Sequence, residues 1–243
     1  MTILFKTINI QLLTFLRIKQ AVFFSFAFPL FLFVVFRTIF GGLGTSSDKD
    51  YTIFLLSGII CMTLASDGLF AIGTYIKRYY LNGTLRIIRR MPINIIVFIS
   101  GIVISRFIIT ITLVVFLNVV SLVIYNSHFP LHNTLLIFSG VFIGLWIFSF
   151  LGLCLSFSNI RIGDAEKNIA NLVYFFLLFT SNALYPVDVL NIKIASVSNY
   201  LPMNPVLSIL RTDEPILVFP LIVWSLLPVL LFYFLLKRQK FQR

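Results

Sequence analysis

The stretch IFLLSGIICMTLASDGLFAIGTYIKRYYLNGTLRIIRRMPIN, residues 53–94, decides how this chain is read. Its first part, 53–75, is almost continuously apolar, and about 20 such residues suffice to cross a hydrocarbon core as a helix. Its second part carries Lys77, Arg78, Arg86, Arg89 and Arg90 and no acid, before the chain turns apolar again. The whole chain follows the same plan: of 243 residues 59% are hydrophobic, 11% are charged, and the mean hydropathy is +1.03. Soluble domains carry about a quarter charged residues, so no soluble fold hides this much apolar surface. A β-barrel would alternate polar and apolar over about 10 residues, whereas these runs are unbroken.

Six membrane-spanning helices are predicted, at about 21–40, 53–75, 102–125, 134–157, 168–185 and 215–236, forming a single transmembrane domain over 1–243. Lys and Arg mark the cytoplasmic side of short loops. Fourteen of them fall in the amino end, the 76–92 loop, the 158–167 loop and the tail, against three (Lys49, Lys193, Arg211) in the opposite loops. Those opposite loops also hold Asp48, Asp50, Asp188, Asp213 and Glu214. Both termini and the basic loop are therefore expected in the cytoplasm. The net charge of +11 is read as topology rather than nucleic-acid binding, because the cations sit beside apolar spans.

Two segments fit neither span nor simple loop. In residues 2–20, Ile3, Leu4, Ile8, Leu12, Phe15 and Leu16 share one helical face with Lys6, Asn9, Arg17 and Gln20 elsewhere, the pattern of an interfacial helix. The connection YPVDVLNIKIASVSNYLPMNPVLSILRTDEP is half apolar but broken by Pro186, Pro202 and Pro205, as in re-entrant segments of short helices.

The basic loop has an order of its own. Tyr79, Leu81, Leu85 and Ile88 recur near helical spacing. Gly83-Thr84 suits a helix start, with Thr84 as cap, and Met91-Pro92 suits its end. Gly83, Thr84, Leu85, Arg89, Arg90 and Pro92 resemble, in this order, the cytoplasmic loop of ABC-2 type transporter permeases. Pro186, then Leu201-Pro202-Met203-Asn204-Pro205 and Arg211, is similar to that family's segment after span five. Six spans, termini inside and a leading surface helix agree across the whole chain.

That resemblance implies a membrane subunit of an ATP-driven exporter in the bacterial cytoplasmic membrane. The loop between spans two and three would be the coupling helix, docking a cytoplasmic ATPase through Arg78, Gly83, Thr84, Leu85, Arg86, Arg89, Arg90 and Pro92. A second permease subunit, identical or related, would complete the pair, and an amphipathic drug, antibiotic or lipid-linked molecule would be the cargo. Members of that family often carry Glu within the stretch just before Gly-Thr; here Lys77-Arg78-Tyr79-Tyr80-Leu81-Asn82 stands instead, implying a more acidic or apolar groove on the ATPase. The chain lacks a Walker sequence, so ATP and magnesium belong to the partner and no cofactor is expected here.

Three charges fall within the spans. Asp67 lies about 8 residues from the cytoplasmic end of span two, roughly 12 Å deep. Arg106 lies near the start of span three, within reach of Asp67. Such groups cost about 2.5–3.5 kcal/mol on insertion scales, and structural pairing is preferred over a transport role. Arg37, near the outer end of span one, is expected to snorkel or to meet Asp48, Asp50 or Asp188. Pro29 is expected to kink span one. Gly140 and Gly144 are expected to admit a close helix within the subunit. Cys61 and Cys154 read as packing residues, and His128 and His132, with Pro130 between them, as a polar loop. The alternative is a stand-alone intramembrane enzyme or channel, which needs a polar cluster at one depth and activity without an ATPase.

Overall fold

A computed structural model describes residues 2–40, 48–83, 95–126, 134–158, 165–186, 192–211 and 215–240. The chain begins with α1 (Thr2–Arg17). Next comes α2, built of Lys19–Val22, a π-helical turn Phe23–Ala27, and Phe28–Phe40. The third helix, α3, likewise joins Asp48–Ser66, a π-helical Asp67–Gly73, and Thr74–Leu81. Then follow α4 (Ile95–Tyr125), α5 (Thr134–Ser158) and α6 (Ala165–Thr180). Two short helices, α7 (Ile192–Ser198) and α8 (Met203–Leu210), precede α9 (Val218–Lys240). The described residues hold no strand.

Five helical stretches are long and apolar enough to cross a membrane: Lys19–Ile39, Tyr51–Tyr79, Val97–Tyr125, Thr134–Ser158 and Val218–Leu235. The fifth expected span, 168–185, is shorter, its apolar helix covering Asn168–Thr180. The helix stops at Thr180 because the backbone of Asn182 is drawn away. The Asn182 N–H donates to Asn204 Oδ1 (3.1 Å), and its carbonyl accepts from Arg211 Nη2. The Phe179 carbonyl left at the helix end accepts the Tyr185 hydroxyl instead, as orphan carbonyls require.

The second span is the axle of the bundle. In its most apolar window 67% of residues are buried, against 11% in Lys19–Ile39 and Val218–Leu235. Leu55, Leu56, Ile59, Ile60, Leu64, Leu69 and Ile72 are fully enclosed. Lipid tails are as apolar as leucine, so close backbone contact must hold helices together in a bilayer. That contact is made by glycine. A Cβ on Gly68 would strike the backbone of Phe148, and one on Gly152 would strike the carbonyl of Gly68. Gly140 and Gly144 serve a different neighbour, α8: added Cβ atoms there would lie 2.9 Å from Leu210 and 2.9 Å from Val206.

Pro29 acts on the helix just before it. It offers no N–H to the carbonyl of Ser25, and the turn Phe23–Ala27 is wound as a π-helix. The fourth helix begins at Ile95 rather than near 102, because Ile95–Ile99 is uniformly apolar, Ser100 bonds back to the Val97 carbonyl, and α1 supports the helix. Thr7, buried on α1, sits on Gly101, where an added Cβ would come within 2.7 Å of the Thr7 methyl.

Candidate functional site

Arg106 and Asp67 come together between α3 and α4. Arg106 Nη1 lies 3.8 Å from Asp67 Oδ1, with 20% and 16% of the respective side chains exposed. Thr110, one turn after Arg106, donates to Asp67 Oδ2 (3.2 Å) and shares that proton with the Arg106 carbonyl (3.0 Å). The Arg106 guanidinium also stands 5.3 Å from the centre of the Phe15 ring, a cation–π distance. One arginine thus touches α1 through Phe15 and α3 through Asp67. Arg106 lies three turns inside α4, deeper than expected, because the helix starts seven residues early. Asp67 also opens the π-helical turn of α3, a local widening common at functional sites.

The face that α1 turns to α4 includes Thr7 and Phe15, both buried, with Leu4, Ile8, Gln11 and Leu12 partly buried. Phe5, Leu13 and Leu16 are exposed with Lys6 and Arg17. The expected apolar face is thus divided: Leu4, Ile8, Leu12 and Phe15 face inward, and Leu16 does not.

A second assembly surrounds Arg211. Its side chain is 5% exposed. Its Nε donates to Ser57 Oγ (3.0 Å), and its guanidinium carbon lies 3.8 Å from the centre of the Phe54 ring. With the Asn182 carbonyl, this arginine holds α3, the turn after α6 and the end of α8 at one point. Asn204 completes the clamp, donating from Nδ2 to Ser198 Oγ (2.7 Å) while Oδ1 holds Asn182. Pro202 caps α8 and Pro205 lies in its first turn, where a missing N–H costs nothing. All eight residues of α8 are buried. Pro186 ends the described turn after α6.

The other predicted residues fall as follows. Arg37 donates from Nε to Thr52 Oγ1 (2.7 Å) and stands 5.2 Å from the Tyr125 ring centre. Arg78 is exposed in the last turn of α3, with Lys77 buried beside it. Gly83 has φ +72° just past the end of that helix, the left-handed geometry of a helix terminus. Tyr79 donates to the Tyr75 hydroxyl (3.0 Å) and packs edge-on to Phe98, tying the end of α3 to the start of α4. Thr84, Leu85, Arg86, Arg89, Arg90 and Pro92 lie outside the described residues, as do His128, His132 and Asp188. Cys61 Sγ donates to the Met203 carbonyl (3.6 Å) and Cys154 Sγ to the Pro228 carbonyl (3.1 Å), so the two thiols serve different contacts. Among the described residues no three His, Cys, Asp or Glu gather as a metal site.

Phe15, Thr110, Ser57, Phe54 and Asn182 were missed in the sequence. Thr110 had a signal, four residues after Arg106 on one helix face; the others meet their arginines only across the fold.

The glycine-packed helices and paired intramembrane charges define an integral, multi-pass helical membrane protein. The model of the ABC-2 type transporter family matches residues 4–214. The chain belongs to that family, whose members are transport components of the membrane. No curated protein sequence matches it.

Proposed function

We propose that this chain is the membrane-spanning subunit of an ATP-driven exporter, moving an amphipathic drug, antibiotic or lipid-linked molecule out of the cytoplasm or inner leaflet. In this reading it sits in a bacterial cytoplasmic membrane with both termini inside, pairs with a second permease subunit, and docks a separate ABC ATPase that carries ATP and magnesium. Family membership supports the class. The observation that carries the coupling is the continuity of α3: one helix runs from Asp48 through the buried core to Leu81, at the threshold of the basic 77–92 segment.

The proposed path is mechanical. ATP closes the ATPase pair, and the basic segment moves with it. The third helix is packed backbone to backbone against α5 through Gly68 and Gly152, so it transmits displacement instead of absorbing it. Arg106 passes the same displacement to α4 and, through Phe15, to α1. At the other end, Arg211 couples α3 to the α7–α8 segment, which would open to release cargo outward. ATP must favour one access state over the other for any of this to drive transport.

The test is detergent co-purification. The permease is expressed with its native genomic neighbours, as wild type and as Arg86→Glu/Arg89→Glu/Arg90→Glu, with membrane insertion verified. An ATPase retained by wild type and lost from the inserted variant is the expected result. Absence of any ATPase from both forms overturns the reading in favour of a stand-alone protein. Retention by the variant keeps the transporter reading and removes docking from these three arginines.

A further inference from the structure

Beside the Asp67–Arg106 pair lies a pocket of about 90 Å³ lined by Phe24, Ser25, Thr63, Ser66, Asp67, Ile109, Thr110 and Leu113. Both π-helical turns border it, Phe24 and Ser25 from the turn in α2 and Asp67 from the turn in α3. Four of its residues bring hydroxyls or a carboxylate from α3 alone or its neighbour α4: Thr63, Ser66, Asp67 and Thr110. Phe24, 54% exposed, lines it and packs against the exposed rings of Phe23 and Phe28. The lining is mixed, with hydroxyls and a carboxylate set beside Ile109, Leu113 and the Phe24 ring.

The carboxylate facing it is short of donors. An ionised carboxylate has about four acceptor positions. Among the described residues the Thr110 hydroxyl is the donor that reaches Asp67, and its proton is shared with the Arg106 carbonyl. Arg106 at 3.8 Å attracts Asp67 but stands beyond hydrogen-bond length. A compact donor with several N–H groups would improve on this arrangement, and a primary ammonium has three.

We propose that this pocket is a subsite for a primary ammonium group carried on an apolar body, with the Asp67 carboxylate as acceptor and the Phe24 ring against the body. The inference deepens the exporter reading and rests on it for the ligand's role as cargo. Size agrees: the cavity has room for several water-sized groups, enough for an ammonium and its first methylenes, and the rest of the ligand lies along the rings outside. Depth agrees as well. Asp67 is ten residues before the Lys77–Arg78 pair that marks the cytoplasmic end of the helix, with about 8 apolar residues between, so the ligand must carry its charge below the interface. Arg106 competes for the same carboxylate. Its partial release on binding would be felt at Phe15, which links occupancy of the pocket to α1.

The experiment measures equilibrium binding of dansylcadaverine, a fluorescent primary amine on an aromatic body, to the purified full-length permease in nanodiscs without any ATPase. N-acetyl-dansylcadaverine, which has the same body and no ammonium, is the comparison. The expected result is saturable binding of the amine, at least tenfold weaker in Asp67→Asn and several-fold tighter in Arg106→Gln, where the competing cation is gone. Thermal melts confirm that both variants are folded, and Thr110→Val serves as a milder variant with a few-fold loss. Equal binding of amine and acetylated probe, or undiminished binding to folded Asp67→Asn and Thr110→Val, overturns the proposal. Discs of phosphatidylcholine alone and discs containing phosphatidylethanolamine separate the two sources of such a group. Competition by the aminophospholipid identifies a lipid ammonium as the occupant, and its absence identifies a free amphiphilic amine. Failure here leaves ATPase co-purification untouched, and failure of co-purification leaves amine binding untouched, so the two claims fall separately.

Discussion

Phe15 and Asp67 both meet one arginine: the Phe15 ring centre is 5.3 Å from the Arg106 guanidinium and Asp67 Oδ1 is 3.8 Å from its Nη1. The leading helix and the central span are thereby joined through a side chain of a third helix. Removing either ionised partner leaves the other poorly compensated in a medium that penalises lone charge. Asp67→Asn and Arg106→Gln are each expected to destabilise the protein by about 1–3 kcal/mol, less than a fully enclosed pair because both side chains are partly exposed. The double variant is expected to lose less than the sum. Denaturant titration in mixed micelles checks the cycle, and strict additivity would deny the pairing.

The contact between Thr7 and Gly101 sets how α1 lies on α4. An added Cβ on Gly101 would sit 3.0 Å from the Thr7 Cβ, slightly closer than the roughly 3.5–4.5 Å of a disulfide. The double variant Thr7→Cys/Gly101→Cys is expected to cross-link in membranes with mild oxidant, read as a gel shift after proteolytic cleavage between the two sites. No cross-link under conditions that oxidise an exposed pair would show that α1 sits elsewhere.

Gly152 faces the carbonyl of Gly68 with no room for a side chain. Gly152→Val is expected to push α5 off α3 and to lower the melting temperature in detergent by more than 10 °C, or to abolish stable insertion. Gly83→Ala is the contrast. Its Cβ meets nothing within 4 Å, and only the positive φ resists it, at about 1 kcal/mol. Similar effects from the two substitutions would contradict the packing described.

Arg211 makes three unlike contacts at once: a hydroxyl, a carbonyl and an aromatic face. Lysine reproduces the charge but not the planar fork or the stacking. Arg211→Lys is therefore expected to behave nearly as badly as Arg211→Leu, each exposing the turn at Asn182 to a thiol reagent when Asn182→Cys is the reporter. Rescue by lysine would mean that charge alone matters there.

Much of the architecture was legible because a bilayer punishes exposed backbone and charge, so spans must be written as long apolar runs. The helices at 21–40, 134–157 and 215–236 follow that rule closely. The fifth span misled because apolar character continues past Thr180 while Arg211 and Asn204 seize the backbone at Asn182, a long-range event without local trace. Pro29 announced a disturbance in the first span, but the π-turn at Asp67 has no proline; it was invisible as a pattern. Asp67 and Arg106 were conspicuous as lone charges in apolar runs, whereas Phe15 was one phenylalanine among 28.

The coupling path is tested most directly by distance measurement. Spin labels on Arg78→Cys and Lys6→Cys, both exposed positions, would report the end of α3 against α1 in the complex with its ATPase. The account predicts a change in the distance distribution when ATP and vanadate are added, requiring the ATPase and weakened by Asp67→Asn. An unchanged distribution in an ATPase-bound, vanadate-trapped complex would contradict it.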